Sequence, residues 1–218
     1  MRAYLKLTPN KKIVPFNYQP MLTGSFHKWI GNNNGHEEIS LYSFSWLHGA
    51  NAKKEGLEFK NGATFFISAY KHELIKQIVE GVQKDSSMDF GFNVYEIILK
   101  EDPVFESPEQ FYTASPVLIK RNIDGKSKHY TFFDTDSDML LTETIINKLH
   151  IAGLSSEGIE VSFDRNFRTP KTKTIYYKGI GNKVNVCPVI IKGNPEQIAF
   201  AWNVGVGNST GIGFGALE

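Results

Sequence analysis

Six histidines are the side chains of this chain best suited to proton transfer near neutral pH: His27, His36, His48, His72, His129 and His150. A histidine positioned as a general base or acid speeds a reaction by roughly two to four orders of magnitude. Metal chemistry has less support, because no His-x-x-x-His pair occurs and the single cysteine, Cys187, excludes a thiolate cluster. Asp134, Asp136 and Asp138 are more typical of a helix cap than of a two-metal site. We therefore expect neither a metal ion nor a cofactor.

Two of the histidines lie close together in sequence, on a predicted helix and just after it. Pro20 suits a first helical turn, apolar residues follow at helical spacing up to residue 30, and Gly31 ends the helix. His27 comes one residue after Phe26, about 100° round the helix from its buried stripe, so it can face a cleft. His36 lies in the polar stretch that follows. We expect at least one of them to be essential and leave their ranking open; either could instead be a surface histidine.

The C-terminal segment is rich in glycine, at Gly205, Gly207, Gly211, Gly213 and Gly215. A loop that cradles a nucleotide phosphate would open a helix, whereas three residues follow the last of these glycines. We expect the bare backbone to approach a ligand that has its own backbone, such as RNA, and residues 213–217 to form a final strand. A tight turn with a bulged edge strand is the alternative.

Residues 165–192 contain seven basic side chains and no acidic one, although the net charge of the chain is only +1. The basic residues are Arg165, Arg168, Lys171, Lys173, Lys178, Lys183 and Lys192. Such a run is often a solvated hairpin, but beside the glycine-rich segment it also indicates phosphate contact. The first four flank a predicted turn at Thr169–Pro170, so we expect a hairpin that holds them out as a flexible basic finger.

The predicted elements occur in the order β-α-β-β-α-β twice. In the first half the strands fall at residues 2–8, 41–46, 63–69 and 90–100, with helices after Pro20 and around residues 74–82. The second half has strands at 111–121, 158–167 and 213–217, further strands flanking 179–182, and a hairpin through Asp124–Gly125. Its two predicted helices are one that carries Leu141, Ile145 and Leu149, capped by Asp136 or Asp138, and one that starts at Asn194–Pro195. We therefore predict an α+β fold of two tandem ferredoxin-like (RRM-like) domains, at residues 1–105 and 106–218. No apolar run approaches the ~18 residues of a membrane span, and we expect a cytoplasmic protein.

Several short segments, taken together, resemble the CRISPR repeat-cleaving endoribonucleases of the RAMP superfamily. They are the opening MRAYLKLTP, FNYQP at 16–20, LYSFS at 41–45, SPV at 115–117 and the glycine-rich tail. The tail is the specific element, and the others gain weight from their order along the chain. The resemblance implies a protein that binds the CRISPR repeat in precursor crRNA and cuts it once per repeat, without metal, to release guide RNAs. In this chemistry the RNA 2′-hydroxyl attacks the phosphorus and leaves a 2′,3′-cyclic phosphate.

The resemblance also implies roles for particular residues. The relatives take a catalytic histidine, or its tyrosine partner, from the first helix or the segment after it, which corresponds here to His27 and His36. Some relatives add a lysine that stabilises the phosphate, for which Lys54, in the loop after His48, is the candidate. Because His27 stands where the tyrosine often lies, the third catalytic group stays open. Subunits of a CRISPR effector complex are further expected partners, and the chain is expected to be a monomer or homodimer without membrane contact.

Two alternatives keep the RNA contact and drop the reaction. One is a non-catalytic RAMP-type subunit that holds RNA in a CRISPR effector complex. The other is a plain RNA-recognition module, but Phe65–Phe66 and Tyr176–Tyr177 do not supply the paired aromatic motif of that family.

Overall fold

The structure, a computed structural model, describes residues 1–31 and 39–218. Within them the chain is a mixed α+β fold of four α-helices and several small antiparallel sheets. None of the helices in this described part is long and apolar enough to cross a membrane.

The N-terminal half forms a four-stranded antiparallel sheet in the spatial order β2-β5-β1-β6. Its elements, in chain order, are β1 Arg2–Leu7, α1 Gln19–Ile30, β2 Tyr42–Phe44, β3 Asn51–Lys53, β4 Gly56–Glu58, β5 Ala63–Ala69, α2 His72–Lys84 and β6 Val94–Lys100. The β3–β4 hairpin is inserted between β2 and β5. Along β1, Ala3, Leu5 and Leu7 are fully buried and share one face, because successive side chains of a strand point to opposite faces. The helices α1 and α2 pack against each other.

The C-terminal half has a three-stranded antiparallel sheet, in the order β10-β13-β7, and two hairpins. Its elements are β7 Glu109–Phe111, β8 Ile119–Ile123, β9 Lys126–Tyr130, α3 Ser137–Ala152, β10 Glu160–Phe163, β11 Lys171–Tyr177, β12 Ile180–Val186, β13 Val189–Lys192 and α4 Pro195–Val204. The two hairpins are β8–β9 and β11–β12. After α4, a 3-10 turn spans Thr210–Ile212.

Each half has its own large buried cluster. In the N-terminal half Phe26 from α1 and Ile75 from α2 pack with Ile67 from the sheet. In the C-terminal half Leu141 from α3 and Ile198 from α4 are fully buried in a second cluster with β10 and β13.

The two halves are joined through Arg2, which is only 1% exposed. Its guanidinium lies between the rings of Phe66, at 3.8 Å, and Trp202, at 3.4 Å. Nη2 donates to the carbonyl oxygens of Trp202, at 3.1 Å, and Leu217, at 2.9 Å. Burial lowers the pKa of Arg2 to about 10, which leaves it a cation at neutral pH. Through these contacts β1 is linked to α4 and to the last residues of the chain.

The predicted strand at 111–121 is two strands, since β7 ends at Phe111 and β8 begins at Ile119. Pro116 lies between them and has no N–H for a strand ladder. The predicted strand at 90–100 begins only at Val94, because residues 89–91 form a 3-10 turn in which Phe90 has a φ of +59°.

The predicted final strand at 213–217 is reduced to one bridge, between Thr113 and Leu217. Gly213 and Gly215 have φ angles of +89° and +67°, which an extended strand does not contain. Beyond them, Ala216 and Glu218 still make backbone hydrogen bonds to the segment after β7.

The helix cap predicted for Asp134, Asp136 and Asp138 at the start of α3 is only partly present. Asp136 occupies the N-cap position of α3, but its side chain caps no backbone N–H. The Asp134 carboxylate accepts instead from the backbone and hydroxyl of Thr131. The carboxylate of Asp138 accepts from the backbone N–H of Phe163 at 3.0 Å and pairs with Arg165.

Candidate active site and nucleic-acid interface

His27 lies near the C-terminal end of α1, half-buried, with its ring against Phe26. The two ring centroids are 5.6 Å apart in an edge-on arrangement. Phe26 is buried and stacks on Tyr42 of β2 with a centroid distance of 4.4 Å. Because this stack fixes the end of α1 against β2, it also fixes the position of the backbone that carries His27. The other favoured histidine, His36, lies outside the described residues.

Tyr42 lies between α1 and the C-terminal half, since it stacks on Phe26 and lies beside Gly211. Burial raises the pKa of the Tyr42 phenol, while a hydrogen bond with Ser40 lowers it and the nearby Tyr177 of β11 raises it. The 3-10 turn at residues 210–212 packs against both α1 and β2. On β2 and just after it, Phe44 lies under Gly213, and the indole Nε1 of Trp46 donates to the Gly213 carbonyl at 2.8 Å. The glycine-rich segment therefore packs on one side of the region that contains His27.

The glycines of that segment are buried and pack against backbone or side-chain atoms of the protein itself. A Cβ on Gly215 would overlap the carbonyl oxygen of Val206, and one on Gly207 would lie 2.5 Å from that of Leu118. At Gly205 the Cβ would lie 2.6 Å from the Gly215 carbonyl oxygen. At Gly211 it would meet Ser40 and, at 2.9 Å, the hydroxyl of Tyr42. Packing within the chain thus requires glycine at these positions, and an RNA contact at Gly205, Gly207, Gly211, Gly213 and Gly215 stays a prediction.

Lys148, on α3, holds the start of the glycine-rich segment and was not predicted from the sequence. Its ammonium donates to the carbonyl oxygens of Val204, at 2.9 Å, and Gly205, at 3.1 Å, and to the Thr210 hydroxyl at 3.1 Å. The side chain is only 3% exposed, and burial lowers the pKa of Lys148 from its ordinary 10.5 to about 7. The carbonyl of Val204 ends α4, so the cation lies at the negative end of the helix dipole.

The basic residues do not form the predicted finger around Thr169–Pro170. The hairpin is β11–β12, and its turn is Lys178–Gly179, with φ angles of +48° and +81°. Two consecutive residues with positive φ match the two-residue turns that suit the twist of a hairpin. The turn differs from the predicted one because Thr169–Pro170 precedes β11, whereas Lys178–Gly179 can adopt the required conformation.

The four predicted RNA-binding cations therefore fall into two groups. Lys171 and Lys173 are exposed on β11, whereas Arg168 is exposed on the segment before it. Arg165 is engaged in the protein: its Nε donates to the Phe132 carbonyl at 3.1 Å, and its guanidinium pairs with Asp138. An RNA phosphate would have to compete with Asp138 for the Arg165 guanidinium. The role of Arg165 as a phosphate ligand stays a prediction.

Lys54 lies at the exposed turn of the β3–β4 hairpin. Through β4 this hairpin pairs with the segment at Val14, which forms a bridge to Leu57. The neighbouring Lys53 pairs with Glu58 at 3.4 Å, across the same hairpin. The assignment of Lys54 as a catalytic group stays a prediction.

The other four histidines, His48, His72, His129 and His150, each have different surroundings. His72 starts α2 and is exposed, His150 shares a 2.9 Å hydrogen bond with Ser156, and His48 forms a bridge with Thr64. The pKa of His129, on β9, is lowered mainly by burial and also by Lys120, against a hydrogen bond with Asn182 that raises it. In residues 1–31 and 39–218 no group of three or more His, Cys, Asp or Glu side chains could hold a metal ion.

Comparison with known proteins gives a consistent result along the whole chain. Residues 99–218 match the family model described as CRISPR associated protein Cas6, C-terminal. The chain is 25% identical, over 244 residues, to the CRISPR-associated endoribonuclease-like protein Cas6 of Pyrococcus furiosus. That alignment covers 100% of this chain and 98% of the relative.

Two solved structures share the fold. One, from work on a Cas6-related gene of Pyrococcus furiosus, has a TM-score of 0.85 at 22% identity, with 100% of this chain and 97% of the other covered. The second, a RAMP protein binding different RNA substrates, has a TM-score of 0.85 at 19% identity, with 100% and 98% covered. At these identities the likeness establishes the fold alone.

Proposed function

The chain belongs to the Cas6 family of CRISPR-associated proteins, and we propose that it is an endoribonuclease that binds CRISPR repeat RNA and cuts precursor transcripts into guide RNAs. The reaction is metal-independent and proceeds by attack of the RNA 2′-hydroxyl, with histidine as general acid or base. Residues 1–105 and 106–218 are the two proposed domains, the first carrying the catalytic histidines and the second the basic hairpin and glycine-rich loop.

Both proposed domains are ferredoxin-like, and the strand pairings support this. In the N-terminal half β1 lies between β5 and β6, with β2 outside β5, as expected for a β-α-β-β-α-β unit. In the C-terminal half β13 lies between β10 and β7, and the last residues pair next to β7 at Thr113. The two orders correspond if the last residues count as the fourth strand and the two hairpins as insertions.

The observation that carries the proposed function is that elements of both halves lie close together beside the end of α1. His27 comes from the N-terminal half, whereas the glycine-rich segment and the β11–β12 hairpin come from the C-terminal half. α1 and the glycine-rich segment meet at Tyr42, which stacks on Phe26 and lies beside Gly211. Tyr177 of the hairpin lies near Tyr42 and raises the pKa of its phenol, after burial as the main cause. A strand of RNA held on the hairpin can therefore run past the end of α1.

At that position His27 is proposed to remove the proton of the 2′-hydroxyl or to protonate the 5′ oxygen that leaves. The 2′ oxygen bonds to phosphorus as the phosphorus–5′ oxygen bond breaks, which leaves a 2′,3′-cyclic phosphate and a 5′-hydroxyl. His36 is proposed for the complementary proton transfer, and Lys54 for stabilising the charge of the pentavalent phosphate. Lys171, Lys173 and Arg168 would bind the phosphates of the bound strand.

A cleavage assay with labelled repeat RNA tests this mechanism. We expect cutting to persist in excess EDTA and to stop when the nucleotide at the cut carries a 2′-deoxy sugar. His27→Ala should slow single-turnover cleavage by roughly two orders of magnitude or more with little change in binding, because a base acts mainly in the transition state. His150→Ala, an exposed histidine at the end of α3, is the matched control and should cut at the parent rate. Cutting that requires magnesium, or that survives the 2′-deoxy substitution, would refute the mechanism.

A second candidate function is a non-catalytic RNA-binding subunit of a CRISPR effector complex. The names of the relatives favour it, since one is called endoribonuclease-like and another a RAMP protein that binds RNA. The same assay separates the two: retention of intact repeat RNA by the protein, without any cut product, indicates the binding subunit.

A further inference from the structure

Tyr176 projects from the β11–β12 hairpin with an open aromatic face. It is 57% exposed and lies opposite Gly181 in the strand register. A Cβ on Gly181 would lie 3.3 Å from the Tyr176 Cε1 atom and 3.7 Å from Cζ, so the ring lies over the glycine backbone. Because Gly181 supports one side of the ring, the ring is held in place while much of it stays accessible.

The hairpin that carries this ring is anchored at its base. Ile175, on the opposite face of β11, and the buried Val184 of β12 pack with Leu118 and with Phe214 of the glycine-rich segment. The tip is closed by Lys178–Gly179 in the positive-φ conformation of a two-residue turn. Tyr176 is therefore displayed on a short, regular and anchored element.

The face that carries Tyr176 also carries a cation at nucleotide spacing. Lys183 is exposed, lies opposite Thr174 and is thus the diagonal neighbour of Tyr176 across the hairpin. Diagonal neighbours are about 7 to 8 Å apart between Cα atoms, which suits a base and the phosphate attached to its sugar. Hydrogen bonds from Thr131 lower the pKa of the nearby Asp134, and Lys128 and Lys183 lower it further.

We propose that Tyr176 is a stacking platform for one unpaired base of the bound RNA, with the adjoining phosphate held by Lys183. This inference rests on the proposed function, because it specifies how the RNA is bound. Stacking on an aromatic ring is tolerant of sequence, since every base has a π face, and it requires a base outside a duplex. The platform therefore selects single-stranded RNA at the hairpin.

The test compares binding of single-stranded and duplex RNA by variants of the full chain. The probes are fluorescein-labelled oligouridylate and oligoadenylate of about twelve nucleotides, within the range of known single-strand site sizes, and an RNA duplex of equal length. Tyr176→Ala should weaken binding of both single strands about 5- to 160-fold with an unchanged salt dependence. Tyr176→Phe should restore affinity to within about twofold, because the ring is kept. Tyr95→Ala, which removes a 63% exposed tyrosine from β6, should bind as the parent does.

Lys183→Ala tests the phosphate contact separately. It should reduce the slope of log affinity against log salt by about 0.7 for the single strands, which corresponds to one phosphate. Parent-like binding of the single strands by Tyr176→Ala overturns the platform, and the proposed nuclease stands if that variant still cleaves repeat RNA. An equal loss for duplex and single strands also overturns it, because the hairpin would then contact a groove. If the parent protein binds none of these RNAs and does not cleave repeat RNA, the platform and the proposed function both fail.

Discussion

Replacing Lys148 by methionine should change how the stability of the protein depends on pH. Lys148 is buried on α3, and its ammonium donates to Val204, Gly205 and Thr210 at 2.9 to 3.1 Å. Methionine keeps much of the length of the side chain and removes both the charge and the donors. The contacts that start the glycine-rich segment are lost in the same step.

The size of the effect follows from the pKa of Lys148, which burial lowers from 10.5 to about 7. Between these values the unfolded chain binds more protons at this residue than the folded protein does, so stability rises with pH. The destabilising contribution is fully present below pH 7 and is relieved as the pH rises toward 10.5. The limiting slope is about 1.4 kcal/mol per pH unit, and from pH 7.5 to 9.5 the gain is about 2.5 kcal/mol.

Urea unfolding of the parent and of Lys148→Met, measured from pH 6.5 to 9.5, gives the difference in unfolding free energy. We expect the advantage of the parent over the variant to grow by about 2.5 kcal/mol between pH 7.5 and 9.5. Lys76→Met, which removes a lysine with a 79% exposed side chain from α2, is the control and should run parallel to the parent. Parallel curves for Lys148→Met would show that Lys148 has an ordinary pKa and would refute the reasoning.

Three further predictions concern single contacts. Arg2→Met should lower the unfolding free energy by about 3 kcal/mol or more, because two buried carbonyls lose their donor and two rings lose a cation; a loss under about 1 kcal/mol in urea unfolding would contradict this. Gly215→Ala should cost at least about 2 kcal/mol more than Gly125→Ala: both have positive φ, at +67° and +76°, but only at Gly215 does the methyl group overlap a carbonyl. Lys173→Ala should reduce the slope of log RNA affinity against log salt by slightly less than one unit and leave the melting temperature unchanged. Arg165→Ala should lower the melting temperature, because Arg165 pairs with Asp138. The opposite pattern would place the phosphate contact at Arg165.

Elements with strong local signals were predicted well from the sequence. The strand at residues 63–69 has the predicted bounds, because its apolar residues lie between turns on both sides. The helix after Asn194–Pro195 starts as predicted, with the Asn194 side chain accepting from the backbone N–H of Gln197 at 2.9 Å. In both cases the determining contacts are between residues close in sequence.

The buried charges were missed, since long-range packing determines them. Arg2 and Tyr4 point to the same face of β1, and Trp202 of α4, in the other half, packs over Arg2 on that face. For Lys148 a signal did exist: it follows Leu141 and Ile145 by seven and three residues, so it lies on the apolar stripe of its helix. A lysine in such a stripe is a candidate for a buried cation that satisfies carbonyl groups.

The glycine-rich segment shows how the same sequence pattern can serve two purposes. Its glycines were expected to let a ligand approach the backbone, and in the folded chain they let other parts of the protein approach it. A bulky residue at Gly211 would collide with Ser40 and Tyr42, so it would displace the side chain that stacks on Phe26 beside His27. Weaker RNA binding by a Gly211 variant would therefore not show that the RNA contacts Gly211. Exposed side chains such as Lys173, Tyr176 and Lys183 can be removed without disturbing that packing, and the path of the RNA has to be established from them.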